Sequence, residues 1–175
     1  MGFHHPFETT LHGFAQRGDL GLDLAGRRRA PLLQADLMAL GVAPAALARL
    51  PQYAGIGVAS CAAAAMGALY VIEGSTLGGI HIARALAPLC AALGGGRRFF
   101  LGHGERHGAM WRGFLAALEA RAASEADIAA MVEGAATTFA AFEFWMNGWR
   151  SMDEAADPAM LAPLPHDPAA AAYPG

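Results

Sequence analysis

The chain carries little charge and few cysteines. Charged residues make up 15% of its 175 residues, the formal net charge is -3, and there are two cysteines. A chain with so few basic groups and a negative balance offers no counter-charge to a polyanion, so we expect no nucleic-acid partner. Cys61 and Cys90 lie in alanine-rich apolar segments. They are therefore predicted to be buried free thiols, which fits a reducing cytoplasm.

Long uninterrupted apolar runs are also missing from the sequence. Every stretch of about 18 apolar residues is broken by a charge or a glycine, so no membrane span is predicted. The start of the chain lacks the charged region and apolar segment that together define a signal peptide. We therefore expect a cytoplasmic protein without a membrane partner.

Alanine and other apolar residues dominate what is present. Hydrophobic residues account for 55% of the chain, and the mean hydropathy is +0.32. Because alanine favours helices that pack closely, and no pair of strands can be recognised, the fold class is predicted to be all-α. Residues 1–154 form the predicted helical domain. Residues 155–175 form an Ala/Pro-rich C-terminal tail without periodicity.

Apolar spacing places the helices within the predicted domain. Helices are predicted over residues 3–17, 27–40, 44–48, 59–90, 109–123 and 125–150, with an extended connector at 97–101 and a loop at 102–108. Phe3, Phe7 and Phe14 share one side of the first helix and require a partner surface. Ser124 and Asp127 form a weak capping box before the last helix. The last helix has one apolar stripe, made of Ile128, Met131, Ala135, Phe139, Phe142, Trp145 and Trp149.

The stretch at residues 68–84 combines a helical, apolar pattern with unusual glycine content. Gly74, Gly78 and Gly79 fall in its middle, together with the hydroxyl residues Ser75 and Thr76. Each glycine inside a helix costs about 1 kcal/mol relative to alanine, so this composition has a reason. One explanation is close crossing by another helix, and the other is a flat ligand lying against bare backbone. Composition alone slightly favours close crossing.

No metal or phosphate motif is present. The seven histidines are scattered, and His103 and His107, although four residues apart, are surrounded by glycines that oppose a helix. No carboxylate–histidine helix pair of the di-iron type occurs, so no metal site is predicted. The glycines lack P-loop spacing, and no strand precedes Ser75 as a nucleophile elbow would require.

The residues at 68–79 resemble the distal-helix signature of the heme oxygenases that accompany bacterial phytochromes. Residues 3–8, 28–37, 108–115 and 136–145 resemble other segments of the same family, in the same order. The resemblance covers roughly residues 3 to 150 and implies a heme oxygenase-like helical bundle. It also implies oxidative cleavage of heme to biliverdin, iron and carbon monoxide. The reaction uses O2 and electrons from a reductase or ferredoxin, and heme is both substrate and cofactor.

The resemblance also assigns roles to residues around the glycines. Gly74, Gly78 and Gly79 would contact the heme face and the bound O2. Ser75 takes the place where many heme oxygenases have an aspartate that holds a water, and a hydroxyl orients water without the negative charge.

Charged and aromatic residues near the same segment have a family role and a simpler alternative. Arg112 matches an arginine that pairs with a heme propionate, the alternative being a solvated arginine. Tyr70 would lie at the pocket edge, the alternative being a core tyrosine. Glu73 is expected to be a satisfied structural carboxylate. The arginines at residues 27–29 are expected to be a solvated basic cluster, with docking of an acidic electron donor as the alternative.

The sequence differs from the family at its N-terminal end. The family has a first helix whose histidine ligates the heme iron, and it lies well upstream of the position that Glu8 matches. His4 and His5 do not match that ligand. A start site further upstream, a degenerate relative without heme chemistry, or a second subunit covering the open face would each explain the difference. We therefore expect impaired heme turnover. The alternative is a non-catalytic helical module that uses the same groove for binding or dimerisation.

Overall fold

The computed structural model describes residues 1–18, 20–53 and 59–153, with side chains in the last helix described through residue 148. In these residues every regular element is helical, which confirms the predicted all-α class. Two short 3₁₀ turns, Ala25–Arg27 and Gly104–Arg106, separate the helices. The helices are α1 (His4–Gln16), α2 (Ala30–Ala39), α3 (Pro44–Arg49), α4 (Ala62–Ala85), α5 (Ala87–Ala92), α6 (Arg98–Leu101), α7 (His107–Arg121) and α8 (Glu125–Asp153).

Helix α4 is the centre of the fold and packs against α1, α6, α7 and α8. Its N-cap is Cys61, which has an extended backbone and whose sulfur accepts the Ala64 N–H. All residues from Ala62 to Leu69 are buried. Because alanine has almost no side-chain volume, neighbouring helices approach this half of α4 closely.

Two glycines allow α8 to cross α4. A Cβ on Gly67 would collide with the carbonyl oxygen of Met131, and a Cβ on Gly134 would collide with the carbonyl oxygen of Ala64. The two backbones therefore touch at this crossing. The N-cap half of the predicted capping box is confirmed at the start of α8, because the Ser124 hydroxyl accepts the Asp127 N–H at 3.1 Å. The Asp127 carboxylate accepts the Ser124 hydroxyl at 2.7 Å, where a full box would use the Ser124 backbone N–H.

The connector at residues 97–101 was expected to be extended, and that expectation is wrong. Its last four residues form α6, because the Asp36 carboxylate accepts the backbone N–H groups of Arg98 at 2.9 Å and Phe99 at 2.8 Å. This cap comes from α2, so local sequence does not reveal it. The predicted loop at residues 102–108 contains a 3₁₀ turn, and α7 begins at His107.

The long helix predicted over residues 59–90 is two helices. The first helix ends at Ala85, and α5 begins at Ala87. Pro88 lies in the first turn of α5, where its missing N–H costs nothing. By length and composition alone α4 is long and apolar enough to cross a membrane. However, 61% of its most apolar window is buried inside the protein. A core helix of a folded domain has these properties.

The aromatic side of α1, which requires a partner surface, finds that surface within the chain. Phe3 is 3% exposed and Phe7 is fully buried. Their rings lie 5.5 Å apart, and the Phe3 ring also meets Phe142 of α8 at 5.3 Å. Phe14 is partly buried against the same core. This side of α1 is therefore covered by the chain's own helices.

The predicted apolar stripe of α8 is only partly buried. Met131 is 8% exposed, whereas Ile128 and Phe139 are 49% and 59% exposed. Both cysteines are free, but Cys61 is exposed at the start of α4 and only Cys90 is buried. The side chain of Trp149 and the predicted tail at residues 155–175 lie outside the described residues.

Candidate functional site

The second half of α4 has one open side. Separations of four and seven residues place Tyr70, Gly74, Leu77, Gly78 and His81 on the same side of the helix. A Cβ on Gly78 would meet nothing within 4 Å, and a Cβ on Gly74 would meet only the edge of the Trp111 ring at 3.8 Å. Tyr70 and Leu77 are each 44% exposed. The result is an apolar surface with bare backbone at its centre, which we call the glycine face.

Aromatic rings from α7 border the glycine face. The Tyr70 ring lies 5.7 Å from the Trp111 ring, which stacks on Phe114 at 5.5 Å. Phe114 is fully buried and fixes this cluster to the core. Tyr70 is thus an exposed edge residue of the face and is not enclosed in the core. Its role at the edge of a heme pocket stays a prediction.

The structure separates Gly79 from the other two glycines. Gly79 lies about 140° round the helix from Gly74. A Cβ there would be 2.8 Å from the carbonyl oxygen of Phe100, so Gly79 admits the backbone of α6. Close packing therefore explains only one of the three glycines, and a flat ligand at the other two stays a prediction. Gly79 serves close packing, and Gly74 and Gly78 border open space.

Ser75 is held by a buried arginine. Its hydroxyl donates to the carbonyl oxygen of Ile72 at 2.7 Å and accepts from Arg29 Nη1 at 3.1 Å. Arg29 is 1% exposed, its Nη2 donates to the carbonyl oxygen of Phe99 at 2.9 Å, and its guanidinium lies 4.1 Å from the Phe99 ring centre. Burial lowers the pKa of Arg29. Serine and arginine form one unit beneath the edge of the glycine face.

The arginines at residues 27–29 are mostly not the solvated cluster that was expected. Arg27 donates to the Glu73 carboxylate at 2.8 Å, and the two side chains are 9% and 3% exposed. Only the side chain of Arg28 is substantially exposed, at 46%. The Glu8 carboxylate accepts the backbone N–H groups of Arg29 and Ala30 and so caps α2 from α1. Burial raises the pKa of Glu8.

Glu73 is confirmed as a satisfied structural carboxylate. Besides Arg27, its oxygen lies 3.6 Å from Nε2 of His103. Next to it, the Thr76 hydroxyl donates to the carbonyl oxygen of Glu73 at 2.5 Å and lies 3.0 Å from Nε2 of His107. Because the Thr76 proton is already used, Nε2 of His107 carries the hydrogen and donates to Thr76. Burial lowers the pKa of His107, and the neighbouring His103 and Arg29 lower it further.

Arg112 does not touch the glycine face. It is exposed on α7, and a Cβ on Gly108 would lie 3.3 Å from its guanidinium nitrogen. Its side chain therefore folds over the start of α7. The propionate role stays a prediction.

Among the described residues no group of three metal-binding side chains occurs. The glycine face suits a flat, mostly apolar ligand, because the absent Cβ atoms leave a plane rather than a pocket and the rings of Tyr70 and Trp111 form an edge. These features define the class: an all-helical protein whose central helix has an open, glycine-bearing side, supported from behind by buried polar residues.

Comparison with known proteins gives the family. The model of the heme oxygenase family matches residues 33–148. A heme oxygenase from Xanthomonas campestris pv. campestris (strain 8004) is 41% identical over 116 residues, which are 66% of this chain and 66% of that protein. No solved structure matches significantly. The chain belongs to the heme oxygenase family.

Sequence reasoning missed Arg29 as a site residue. It is one of three consecutive arginines, and nothing local distinguishes the buried one from its neighbours. Its partner Ser75 is 46 residues away. The matched range starts at residue 33, so Arg29 lies outside it. Trp111 was recognised only as part of a family-like segment, although an indole three residues before a buried phenylalanine signals a helix side facing the core.

Proposed function

We propose that the glycine face binds heme and that the protein cleaves it oxidatively to biliverdin, iron and carbon monoxide. O2 and electrons from a reductase or ferredoxin would complete the reaction. The observation that carries this proposal is that Gly74 and Gly78 lie inside a helix with no packing neighbour that would require glycine. Bound heme supplies the iron centre for oxygen chemistry. The described residues supply binding, orientation and a place for water.

Ser75 and Arg29 are the proposed water-orienting unit. The single hydroxyl proton of Ser75 is used on the carbonyl oxygen of Ile72, and one lone pair accepts from Arg29. The remaining lone pair of the hydroxyl oxygen accepts a hydrogen bond from water. The hydroxyl has no second proton, so it cannot also donate a hydrogen bond to that water. Arg29 is a positioning residue, because it fixes the serine hydroxyl without reaching the face. A serine in place of the family's aspartate supports assignment to the phytochrome-associated branch.

The finer assignments follow from the same resemblance. Arg112 is proposed to pair with a heme propionate, because a guanidinium and a carboxylate form a bidentate ion pair. Gly79 is proposed to act indirectly, by letting α6 support the helix behind the face. Tyr70 is proposed to line the pocket edge. The protein is proposed to work in the cytoplasm.

Turnover by the 175-residue chain is proposed to be impaired. Gly78 is exposed, and none of the described histidines matches the iron ligand that the family resemblance implies. A second subunit is one proposed cover for the face. The rival function is a non-catalytic binding or dimerisation module. It is supported by the same open surface and by the exposed apolar residues of α8.

Heme titration tests this proposal. Gly78→Leu places a branched side chain on the face and should raise the dissociation constant for ferric heme at least tenfold. Gly13→Leu is the matched control, because a Cβ at this helical glycine of α1 meets only the end of the Arg17 side chain at 3.9 Å. Circular dichroism of both variants verifies folding. Turnover is measured as biliverdin released after addition of a reductant under oxygen.

The two parts of the proposal have separate outcomes. Equal heme affinity of the wild type and Gly78→Leu would show that heme does not use the glycine face. Rapid and complete conversion to biliverdin by the 175-residue chain would disprove the impairment. Heme binding that Gly78→Leu weakens, with no biliverdin after prolonged reduction, would favour the non-catalytic function.

A further inference from the structure

A small pocket lies behind the glycine face, between α1 and α4. Ile72 lines this pocket and lies about 160° round α4 from Gly74, so the pocket is on the far side of the helix from the face. Its volume is about 20 Å³. The polar residues that line it are Glu8, His12, Arg27, Arg28 and Glu73. We infer that this pocket binds one water molecule, held by Glu8, His12 and Arg28.

Two buried polar atoms of α1 need a partner in this pocket. Oε2 of Glu8 and Nδ1 of His12 are buried and have no hydrogen-bond partner among the described residues. The Glu8 side chain is only 9% exposed. Nearly all buried polar atoms in folded proteins bond to protein or to ordered water, because burying one without a partner is costly. Glu8 and His12 are four residues apart on α1, so their side chains are neighbours and can share one water.

Arg28 supplies the third partner. Its Nε lies 3.8 Å from Oε2 of Glu8, which is too long for a hydrogen bond. A polar contact of this length is often bridged by water, with one hydrogen bond to each side. Oε2 of Glu8, Nδ1 of His12 and Nε of Arg28 together make three partners. That is the usual number for a buried water.

The size and the charges of the pocket favour water over other ligands. One water needs a cavity of about 10–15 Å³, so the pocket holds one water but no organic molecule. Two arginines and two carboxylates line it, and one pair of them, Arg27 and Glu73, already forms an ion pair at 2.8 Å. The arginines oppose a cation and the carboxylates oppose an anion. A neutral ligand of one heavy atom therefore fits best.

The three partners determine how the water is oriented. The Arg28 guanidinium can only donate, so the water accepts from its Nε. The Glu8 carboxylate can only accept, so the water donates one hydrogen to Oε2. Its second hydrogen is left for Nδ1 of His12. The neutral His12 ring must then carry its own hydrogen on Nε2, which is a separate and measurable consequence.

The water site connects α1 to the polar support of the glycine face. Oε1 of Glu8 accepts the backbone N–H groups of Arg29 at 2.8 Å and Ala30 at 2.9 Å. A water on Oε2 satisfies the other oxygen of the same carboxylate without drawing it away from this cap. Arg29, whose backbone the carboxylate holds, reaches Ser75 with its side chain. The water thus helps to fix the start of α2, from which Arg29 enters the site.

Crystallography of the full 175-residue chain at high resolution tests the site. The wild type should show a water peak within hydrogen-bond distance of the three named atoms. His12→Leu keeps the bulk of the side chain but removes Nδ1, and the peak should be lost. His12→Asn places an amide oxygen close to the position of Nδ1 and should keep it. His5→Leu, at an exposed histidine of the same helix, is the matched control and should also keep it.

Nitrogen nuclear magnetic resonance gives a second readout in solution. The neutral ring of His12 should carry its hydrogen on Nε2, and a hydrogen on Nδ1 would overturn the assigned orientation. A wild type in which Arg28 bonds directly to Oε2 of Glu8, with no water peak, would overturn the site. A peak that survives His12→Leu would remove His12 from it. Heme enters none of these measurements, so their outcome is independent of the proposed function.

Discussion

The two halves of α4 use the same residue types for opposite purposes. From Ala62 to Leu69 the helix is buried on every side, whereas from Tyr70 to Ala85 one side is open. Gly67 precedes Gly74 by seven residues, so both project from the same side of the helix. At Gly67 that side is covered by the backbone of α8, and at Gly74 it is bare apart from one ring edge. The open site begins where α8 no longer covers α4.

The support behind each half also differs. The first half is surrounded by apolar residues of the core, such as Phe7, Met131 and Ala141. The second half rests on buried polar groups, in which Arg27 binds Glu73, Arg29 binds Ser75 and His107 binds Thr76. Apolar packing suffices where helices only need to meet. Hydrogen bonds and ion pairs are directional, so they fix the rotation of the helix about its axis and the placement of its side chains. This matters where the Ser75 hydroxyl must stay at the edge of the glycine face.

The largest effect is expected from a change in the covered half. Gly67→Ala places a Cβ on the carbonyl oxygen of Met131, and a backbone atom cannot swing away as a flexible side chain can. We expect a loss of about 3 kcal/mol in the free energy of unfolding, at the upper end of overpacking costs. Denaturant unfolding measures it, and Gly134→Ala should behave alike. A variant as stable as the wild type would show that α8 does not cross α4 this closely.

Acid should act on the polar support of the open half. His4 packs on Phe99, whose carbonyl oxygen binds Arg29. Burial, then the charges of Arg29 and the N-terminus, lower the pKa of His4 from 6.5 to about 3. Since the folded value is depressed, the neutral ring stabilises the fold above pH 6.5. That contribution is lost as the pH falls from 6.5 towards 3.

His4→Phe tests this acid sensitivity, because it keeps a ring but removes the titration. Between pH 7 and pH 5 the wild type should lose about 1–2 kcal/mol more unfolding free energy than the variant. His5→Phe, on the exposed neighbour, is the matched control and should follow the wild type. Equal pH profiles for wild type and His4→Phe would place the acid-sensitive groups elsewhere.

Sequence alone predicted most helices because their apolar spacing and caps are local. The capping box at Ser124 and the Pro44 start of α3 are examples. It failed where the decisive partner is distant in the chain. Helix α6 exists because Asp36 caps it from 62 residues away. The burial of Phe3 depends on Phe142, from the far end of the domain.

The candidate site was likewise predictable where its signal is local and unpredictable where it depends on distant partners. The glycines were visible as an anomaly in a helical pattern, and the family resemblance gave that anomaly a meaning. Which glycines face a helix and which face open space could not be deduced, because the answer depends on where α6 and α8 cross. Likewise, three adjacent arginines look alike in sequence, and only the fold buries Arg29 against Ser75.

The smallest effect is expected in the open half and has the opposite sign. Gly78→Ala adds a Cβ that meets nothing within 4 Å, and alanine is the better helix former. The variant should gain about 0.5–1 kcal/mol in the free energy of unfolding, measured by the same denaturant titration. A loss in stability would mean that another surface covers Gly78 in solution, as a second subunit would. A gain accompanied by weaker heme binding would mean that glycine is kept there for the ligand, at the expense of helix stability.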